Sequence, residues 1–209
     1  MNIKQVIQLL IYKLTPKSDY EELINSPKKG DVVIDCGAYV GDVAEKFSVG
    51  GATVYAFEPN PHAFRVLKER FKDKPNVVCL NKAVWDRNTT TKLYLHEKAE
   101  EDQVYWSMSA SLISSKVNVD VKNYVDVDVV NIVDFIKKIK GRIKILKVDI
   151  EGAEYEILDK IIKQKVYEEI DYIFVETHEN RVPGLEEKMK NIRKLIRKQR
   201  INNIKLDWD

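Results

Sequence analysis

The sequence predicts an α/β fold of Rossmann-like type, with a mostly parallel central sheet and helices on both faces. Three features predict it. Short β-branched runs such as Val32–Asp35, apolar up to the closing aspartate, suit strands buried on both sides of a parallel sheet. Stretches of helical periodicity alternate with these runs, and glycine or proline marks the junctions. Repeated βα units of this kind close into one sheet with right-handed crossovers. With 209 residues, 44% hydrophobic and 33% charged, the chain has the composition of a single globular domain rather than a disordered segment. We divide it into an N-terminal helical segment, 1–29, and a main domain, 30–209.

Ile3, Val6, Ile7, Leu10 and Leu14 follow helical spacing, and Thr15-Pro16 ends that first helix. No small-residue cleavage site follows, so the segment reads as an amphipathic helix that packs on its own chain, across a homodimer or onto a partner domain. Ser18–Leu23 is a second short helix. The alternation then runs as strand 32–35, helix 41–48, strand 53–57, helix 61–71 with proline in its first turn, and strand 76–80. Thr90–His96 alternates as an edge strand, and the polar, serine-rich stretch 97–118 is a long loop of the kind that serves as a lid or substrate-binding segment. An extended piece at 124–130, helix 132–140, strand 143–150, helix 155–163, strand 172–177, helix 185–200 and strand 204–208 complete the reading. Cys36 and Cys79 fall inside strands, as reduced thiols. No apolar run is long enough to span a bilayer, and we expect a cytoplasmic protein.

A formal net charge of +2 gives no reason to expect a nucleic-acid partner. Lys188, Lys190, Arg193, Lys194, Arg197, Lys198 and Arg200 read as the solvated face of a helix whose Leu185, Met189, Ile192 and Ile196 pack on the sheet.

Ligands of such sheets bind outside the carboxyl ends of the strands, near the switch in strand order, and four clusters fall at those ends. In Val32–Gly41 the strand ends in Asp35, and Gly37 and Gly41 bracket the turn into a helix, where free N–H groups and close backbone approach are expected. The spacing is neither the Gly-x-Gly-x-x-Gly of dinucleotide sites nor a P-loop. Asp35 would repel a pyrophosphate but suits a ligand with an ammonium and a sulfonium, such as S-adenosylmethionine. In Phe57–Pro61, Glu58 lies 23 residues beyond Asp35, where a carboxylate can accept both hydroxyls of a ribose. In Asn81–Asp86, Ala83 and Val84 are expected to give the apolar wall and backbone contacts for an adenine ring, and Trp85 to pack in the core rather than cover that ring. In Lys147–Leu158, Asp149, Glu151 and Glu154 crowd three carboxylates into six residues, which is costly unless they are solvated, paired or bound to something positive. Glu176 and His178 end the next strand beside them, and a histidine of near-neutral pKa is a candidate general base for a hydroxyl.

Taken in order, VVIDCGAYVG, FEPNP, NKAVWD, KVDIEGAEYEIL and VETHEN resemble the FkbM-like methyltransferases over roughly residues 30–180, with Lys147–Glu154 the most distinctive part. Ser109-Ala110-Ser111-Leu112 is similar to that family's loop before its fourth conserved strand. The resemblance implies a class I methyltransferase fold and transfer of a methyl group from S-adenosylmethionine to an oxygen, often a hydroxyl of a sugar in a glycan or glycoconjugate. It implies that Asp35, Gly37, Ala38 and Gly41 line the methionine part, and that Glu58, with Pro59 and Asn60, holds the ribose. Ala83 and Val84 then lie near the adenine, and Asp149, Glu151, Glu176 and His178 face the reacting methyl. We expect His178 as the base, oriented by Asp149 or Glu176.

A divalent Mg²⁺ or Mn²⁺ on the carboxylates would also be chemically reasonable, but the expectation is a metal-free mechanism with no metal ligands. RNA or protein methylation, hydride transfer with NAD, and a non-catalytic binding module are the competing readings. The basic helix alone supports the first, the glycine spacing weakens the second, and the intact carboxylates and His178 speak against the third.

Overall fold

A computed structural model describes residues 19–206 of the chain. Its larger sheet is built from β1 (Val32–Cys36), β2 (Thr53–Phe57), β3 (Val77–Leu80), β7 (Ile143–Val148), β8 (Ile170–Val175) and β9 (Ile204–Lys205). Their order is β3-β2-β1-β7-β8-β9, and every neighbouring pair is parallel. Strand side chains alternate between faces, so both faces need apolar cover. On one side α1 (Asp19–Ile24), α2 (Asp42–Ser48) and α3 (Pro61–Arg70) bring Ile24, Phe47 and Leu67 against Val33, Val54, Ile145 and Phe174. On the other, α4 (Ile132–Ile136), α5 (Glu154–Lys163) and α6 (Leu185–Gln199) bring Ile132, Ile157, Ile161, Met189 and Ile192 against Ile34, Leu146 and Ile173. Each such fully buried aliphatic or aromatic side chain contributes roughly 1.5–3 kcal/mol from leaving water. The predicted fold class is the observed one.

Between β3 and α4 the chain inserts a second sheet of three strands, β4 (Ala83–Trp85), β5 (Thr89–His96) and β6 (Val119–Asn131), in the order β4-β6-β5. The sequence reading contains no β4 and starts β6 five residues late, because three residues carry no periodicity and the outer half of β6 is polar and exposed. The helix expected over 132–140 stops at Ile136, where the lysine-rich turn leads to Gly141 at φ +104°. The segment between β5 and β6 folds back on the sheet, Ser111 and Tyr94 exchanging both backbone hydrogen bonds. The expected helix over 1–14, and the end of the last strand at 207–208, lie outside the described residues. Both cysteines are free thiols, Cys36 buried and Cys79 half-buried. Among the described residues no helix is long and apolar enough to cross a membrane.

Candidate active site

The strand order reverses beside β1, where β2 lies on one side and β7 on the other, so the loops after β1 and β7 meet at the carboxyl edge of the sheet. The turn after β1 is unusually tight, with Gly37, Tyr39 and Gly41 at φ +83°, +51° and +95°. A Cβ on Gly37 would stand 1.8 Å from the carbonyl oxygen of Asp149, and one on Gly41 would meet the Phe71 ring at 2.4 Å. Both glycines are therefore demanded by the protein's own packing before any ligand is considered. Four amides of the turn are engaged within the chain. The amides of Gly37 and Ala38 donate to Phe57 O, that of Gly41 to Ala38 O, and that of Tyr39 to the Glu58 carboxylate. The free N–H groups expected here are therefore not those of Gly37, Ala38, Tyr39 or Gly41.

Asp35 is wholly buried and ends up beside Lys147, its partner across the β1–β7 register. Lys147 Nζ lies 3.2 Å from Asp35 Oδ1 and 3.2 Å from Asp149 Oδ2, and donates to the carbonyl of Gly37 at 2.9 Å. Burial raises the Asp35 pKa, and Lys147 opposes that rise. The cation facing Asp35 is thus a lysine of the chain, and direct contact of its carboxylate with a ligand is corrected to an indirect role through Lys147. The sequence reading gave Lys147 no role, although the need to neutralise a buried strand-end aspartate was a usable signal.

Glu58, at the end of β2, is 6% exposed, and both its oxygens are fixed by backbone donors: Tyr39 N to Oε2 at 2.9 Å and Asn60 N to Oε1 at 2.8 Å. Each oxygen keeps a further lone pair. Burial pushes the carboxyl up to about 7, against the pull of the Asn60 and Tyr39 amides. Asn60 is buried, and its side chain caps α3 by accepting from His62 N, so it serves the helix; Pro59 beside it is half-buried. Asn81, which the sequence reading left without a role, donates to the carbonyls of Glu58 and Pro59 and ties the β3 loop to the β2 loop. A cleft of about 140 Å³ opens alongside, between Asn60, His62, Leu95 and Trp106.

Ala83 and Val84 are corrected. Pairing of β4 with Val129 and Val130 of β6 buries both in the core, at 3% and 2% exposure, so neither side chain is available to cover a ring. Trp85 packs against the smaller core, with the Arg87 guanidinium 4.7 Å from its ring centroid.

The ends of β7 and β8 bring together Asp149, Glu151, Glu154, Glu176 and His178. The imidazole is 2% exposed. Its Nδ1 lies 2.9 Å from Glu154 Oε1, and the same oxygen accepts from the amides of Gly152 and Ile150. Its Nε2 lies 3.5 Å from Glu151 Oε2, 3.5 Å from Glu176 Oε1 and 3.9 Å from Asp149 Oδ1. Burial pulls the His178 pKa down, but the Glu154 hydrogen bond and the nearby Glu176 and Glu151 carboxylates outweigh it and push the value up to about 10. The His178 ring, 3.5 Å away, in turn holds Glu176 below the usual carboxylate range. Two expectations change. The residue that orients His178 is Glu154, not Asp149 or Glu176, and within this cage the ring is an imidazolium at neutral pH, not a ready base.

The long loop closes over this cluster. Ser111 Oγ donates to Glu151 O at 2.6 Å, Lys116 Nζ pairs with Glu151 Oε2 at 2.7 Å, and Val117 N donates to Arg181 O. Arg181 Nη1 lies 3.5 Å from Glu151 Oε2. Glu151 itself sits at φ +60°, a strained conformation for a non-glycine residue. Lys116 and Ser111 are buried polar groups that sequence spacing could not connect to a residue 35 or more positions away. What stays open to solvent is the pair Asp149 and Glu176, whose side chains are 26% and 35% exposed.

No curated protein matches the sequence. Among solved structures the chain is similar to a precorrin-8w decarboxylase from Methanobacterium thermoautotrophicum, at 19% identity over 88% of this chain and 73% of that one. The TM-score is 0.44, a likeness too low to carry an argument. The model of the methyltransferase FkbM domain matches residues 35–202, which spans the glycine turn, Glu58, the inserted sheet and the whole acidic cluster. On that match the chain belongs to the FkbM methyltransferase family.

Proposed function

We propose that the protein is an S-adenosylmethionine-dependent O-methyltransferase whose acceptor is a hydroxyl, most fittingly that of a sugar in a glycan or glycoconjugate. The observation that carries the reading is the switch point itself. In a chain of a methyltransferase family, it has a rim of carboxylates with Asp149 and Glu176 partly open to solvent, a setting that attracts a cationic ligand and repels a phosphate. The donor set fits the cofactor. Glu58, held rigid by two amides, offers its remaining lone pairs to a ribose diol, and the tip of β7 with Asp149 offers negative charge to the ammonium and sulfonium. When bound, S-adenosylmethionine supplies an electrophilic methyl group.

The chain's own task is to orient and deprotonate the acceptor. Positioning alone can contribute several kcal/mol, up to about 7–11 in well-oriented systems. Asp149 and Glu176 are the carboxylates within reach of an entering hydroxyl; they orient it, and one of them takes its proton. His178, charged and held by Glu154, keeps these carboxylates together and ionised. The basic face of α6 gives no reason to prefer a nucleic acid, since Lys188 pairs with Glu156 and Arg193 binds Glu179 through both nitrogens within the chain.

Incubation with methyl-labelled S-adenosylmethionine and a panel of glycosides, with RNA and peptide pools alongside, tests the proposal. Label should appear as an O-methyl ether on a sugar and vanish when that hydroxyl is pre-blocked. Label on RNA or protein alone, or cofactor binding with no transfer to any acceptor, would overturn it.

A further inference from the structure

We propose that Asp149, Glu151 and His178 form a binding site for one divalent cation, best matched to Mn²⁺. Each of the three offers one ligand atom, and these atoms lie within 4.8 Å of one another. Ligand atoms about 2.1 Å from an ion stand roughly 3 Å apart when adjacent and about 4.2 Å when opposite, so the trio needs only a small contraction to close.

Carboxylates in proximity would not suffice, but His178 adds a second observation. Its Nε2 is buried, points among the carboxylates and has no hydrogen-bond partner among the described residues. Its Nδ1, by contrast, is held at 2.9 Å by Glu154, which is fixed in turn by the amides of Gly152 and Ile150. A carboxylate gripping one imidazole nitrogen so that the other is aimed into a ligand set is the outer-shell arrangement of histidines that bind metals.

Charge leads to the same place. Among the described residues, Asp35, Asp149, Glu151, Glu154 and Glu176 meet only Lys116, Lys147 and Arg181 of the lysines and arginines. A dication makes up the difference with a neutral imidazole. On binding, the ion takes the Nε2 lone pair and the ring's second proton leaves to solvent. Two carboxylates with one imidazole form a mixed oxygen and nitrogen set, harder than a zinc site yet softer than the all-oxygen shell that Mg²⁺ prefers, which is why Mn²⁺ fits best. The purpose of the ion rests on the methyl-transfer reading. It would hold the acceptor oxygen and ease its ionisation, with Glu176, the half-exposed carboxylate outside the ligand set, receiving the proton.

Binding is testable without any acceptor. Mn²⁺ is titrated into the metal-stripped, tag-free full chain labelled with ¹⁵N-histidine, and bound Mn²⁺ is read by pulsed electron paramagnetic resonance; S-adenosylhomocysteine is titrated separately by calorimetry. We expect one Mn²⁺ per chain with coupling to a histidine nitrogen. His178→Ala should remove that coupling and weaken Mn²⁺ by at least about 10-fold, and Glu154→Gln should weaken it by roughly 10–100-fold while leaving S-adenosylhomocysteine affinity unchanged. The wild-type spectrum decides the matter even if a variant fails to fold. Absence of Mn²⁺ binding at millimolar concentration, or binding without nitrogen coupling, overturns the metal site, and retained S-adenosylhomocysteine binding then leaves the methyl-transfer reading standing. Nitrogen-coupled Mn²⁺ with no affinity for S-adenosylhomocysteine upholds the site and sinks the reading of its purpose.

Discussion

Glu58 and Asp149 each sit at the carboxyl edge of one parallel sheet, yet the fold treats the two carboxylates in opposite ways. Glu58 is satisfied by two backbone amides and faces no lysine or arginine at hydrogen-bonding distance among the described residues. Asp149 belongs to a crowd of acids neutralised by side chains, with Lys147 on one side and His178 on the other. Amides fix an oxygen's position without cancelling its charge, which suits recognition of a neutral diol. Side-chain cations set a local potential, which suits a site that must manage a proton and a positive reacting centre. One edge therefore carries a binding carboxylate and a chemical cluster, and the contrast can be tested from both ends.

The largest effect is expected at the chemical end. Asp149→Asn should lower methyl-transfer turnover by roughly 10²–10⁴-fold, with a smaller loss of S-adenosylhomocysteine affinity from the missing attraction to its ammonium, as read by rate assay and calorimetry on the same preparation. Next comes the hinge joining the two ends. Gly37→Ala places a methyl 1.8 Å from the Asp149 carbonyl at φ +83°, and urea unfolding should show a loss of about 3 kcal/mol or more. Gly141→Ala is the control, with a similar positive φ but nothing within 4 Å, and should lose only about 1–2 kcal/mol.

At the binding end, Glu58→Ala should weaken the cofactor product by roughly 10–100-fold, the value of hydrogen bonds to a charged group, and leave Mn²⁺ affinity as it was. The pH dependence of that affinity is smaller. With the carboxyl pushed up to about 7, the ionised acceptor forms only as pH rises through 7, so affinity should increase by about 10-fold from pH 6 to 8 and become flat in Glu58→Gln. The sign for stability is the reverse. A carboxyl whose folded pKa lies above its unfolded one favours the fold fully below the unfolded pKa, and that contribution fades as pH climbs toward 7. The smallest effect is at the lid, where Ser111→Ala removes one tether to Glu151 O and should cost about 1 kcal/mol in the same unfolding assay.

How far the sequence could be read follows the range of the interactions. β1, β2, β7 and β8 are legible because a strand buried on both faces is dominated by β-branched, aliphatic and aromatic residues, a local property. Ala83 and Val84 read as a ligand wall because apolar residues after a strand look alike whether they meet an adenine or a second sheet; only pairing with β6, more than forty residues away, tells them apart. The carboxylates of the site were legible as costly residues at strand ends. Their partners were not, because Asp35 meets Lys147 through strand register, Glu154 meets His178 across α5 and β8, and Lys116 arrives on a folded-back loop. Those pairings decide that Asp35 is sheltered and that His178 is charged, so the chemistry of the cluster could be located from sequence but not assigned.

The central claim is that this edge of the sheet receives a cationic methyl donor, and calorimetric titration of S-adenosylmethionine into the full chain, with NAD as a parallel titrant, tests it most directly. The account predicts one saturable site for S-adenosylmethionine that is weakened by Glu58→Ala, and no heat of binding for NAD. Saturable NAD binding with none for S-adenosylmethionine would contradict it.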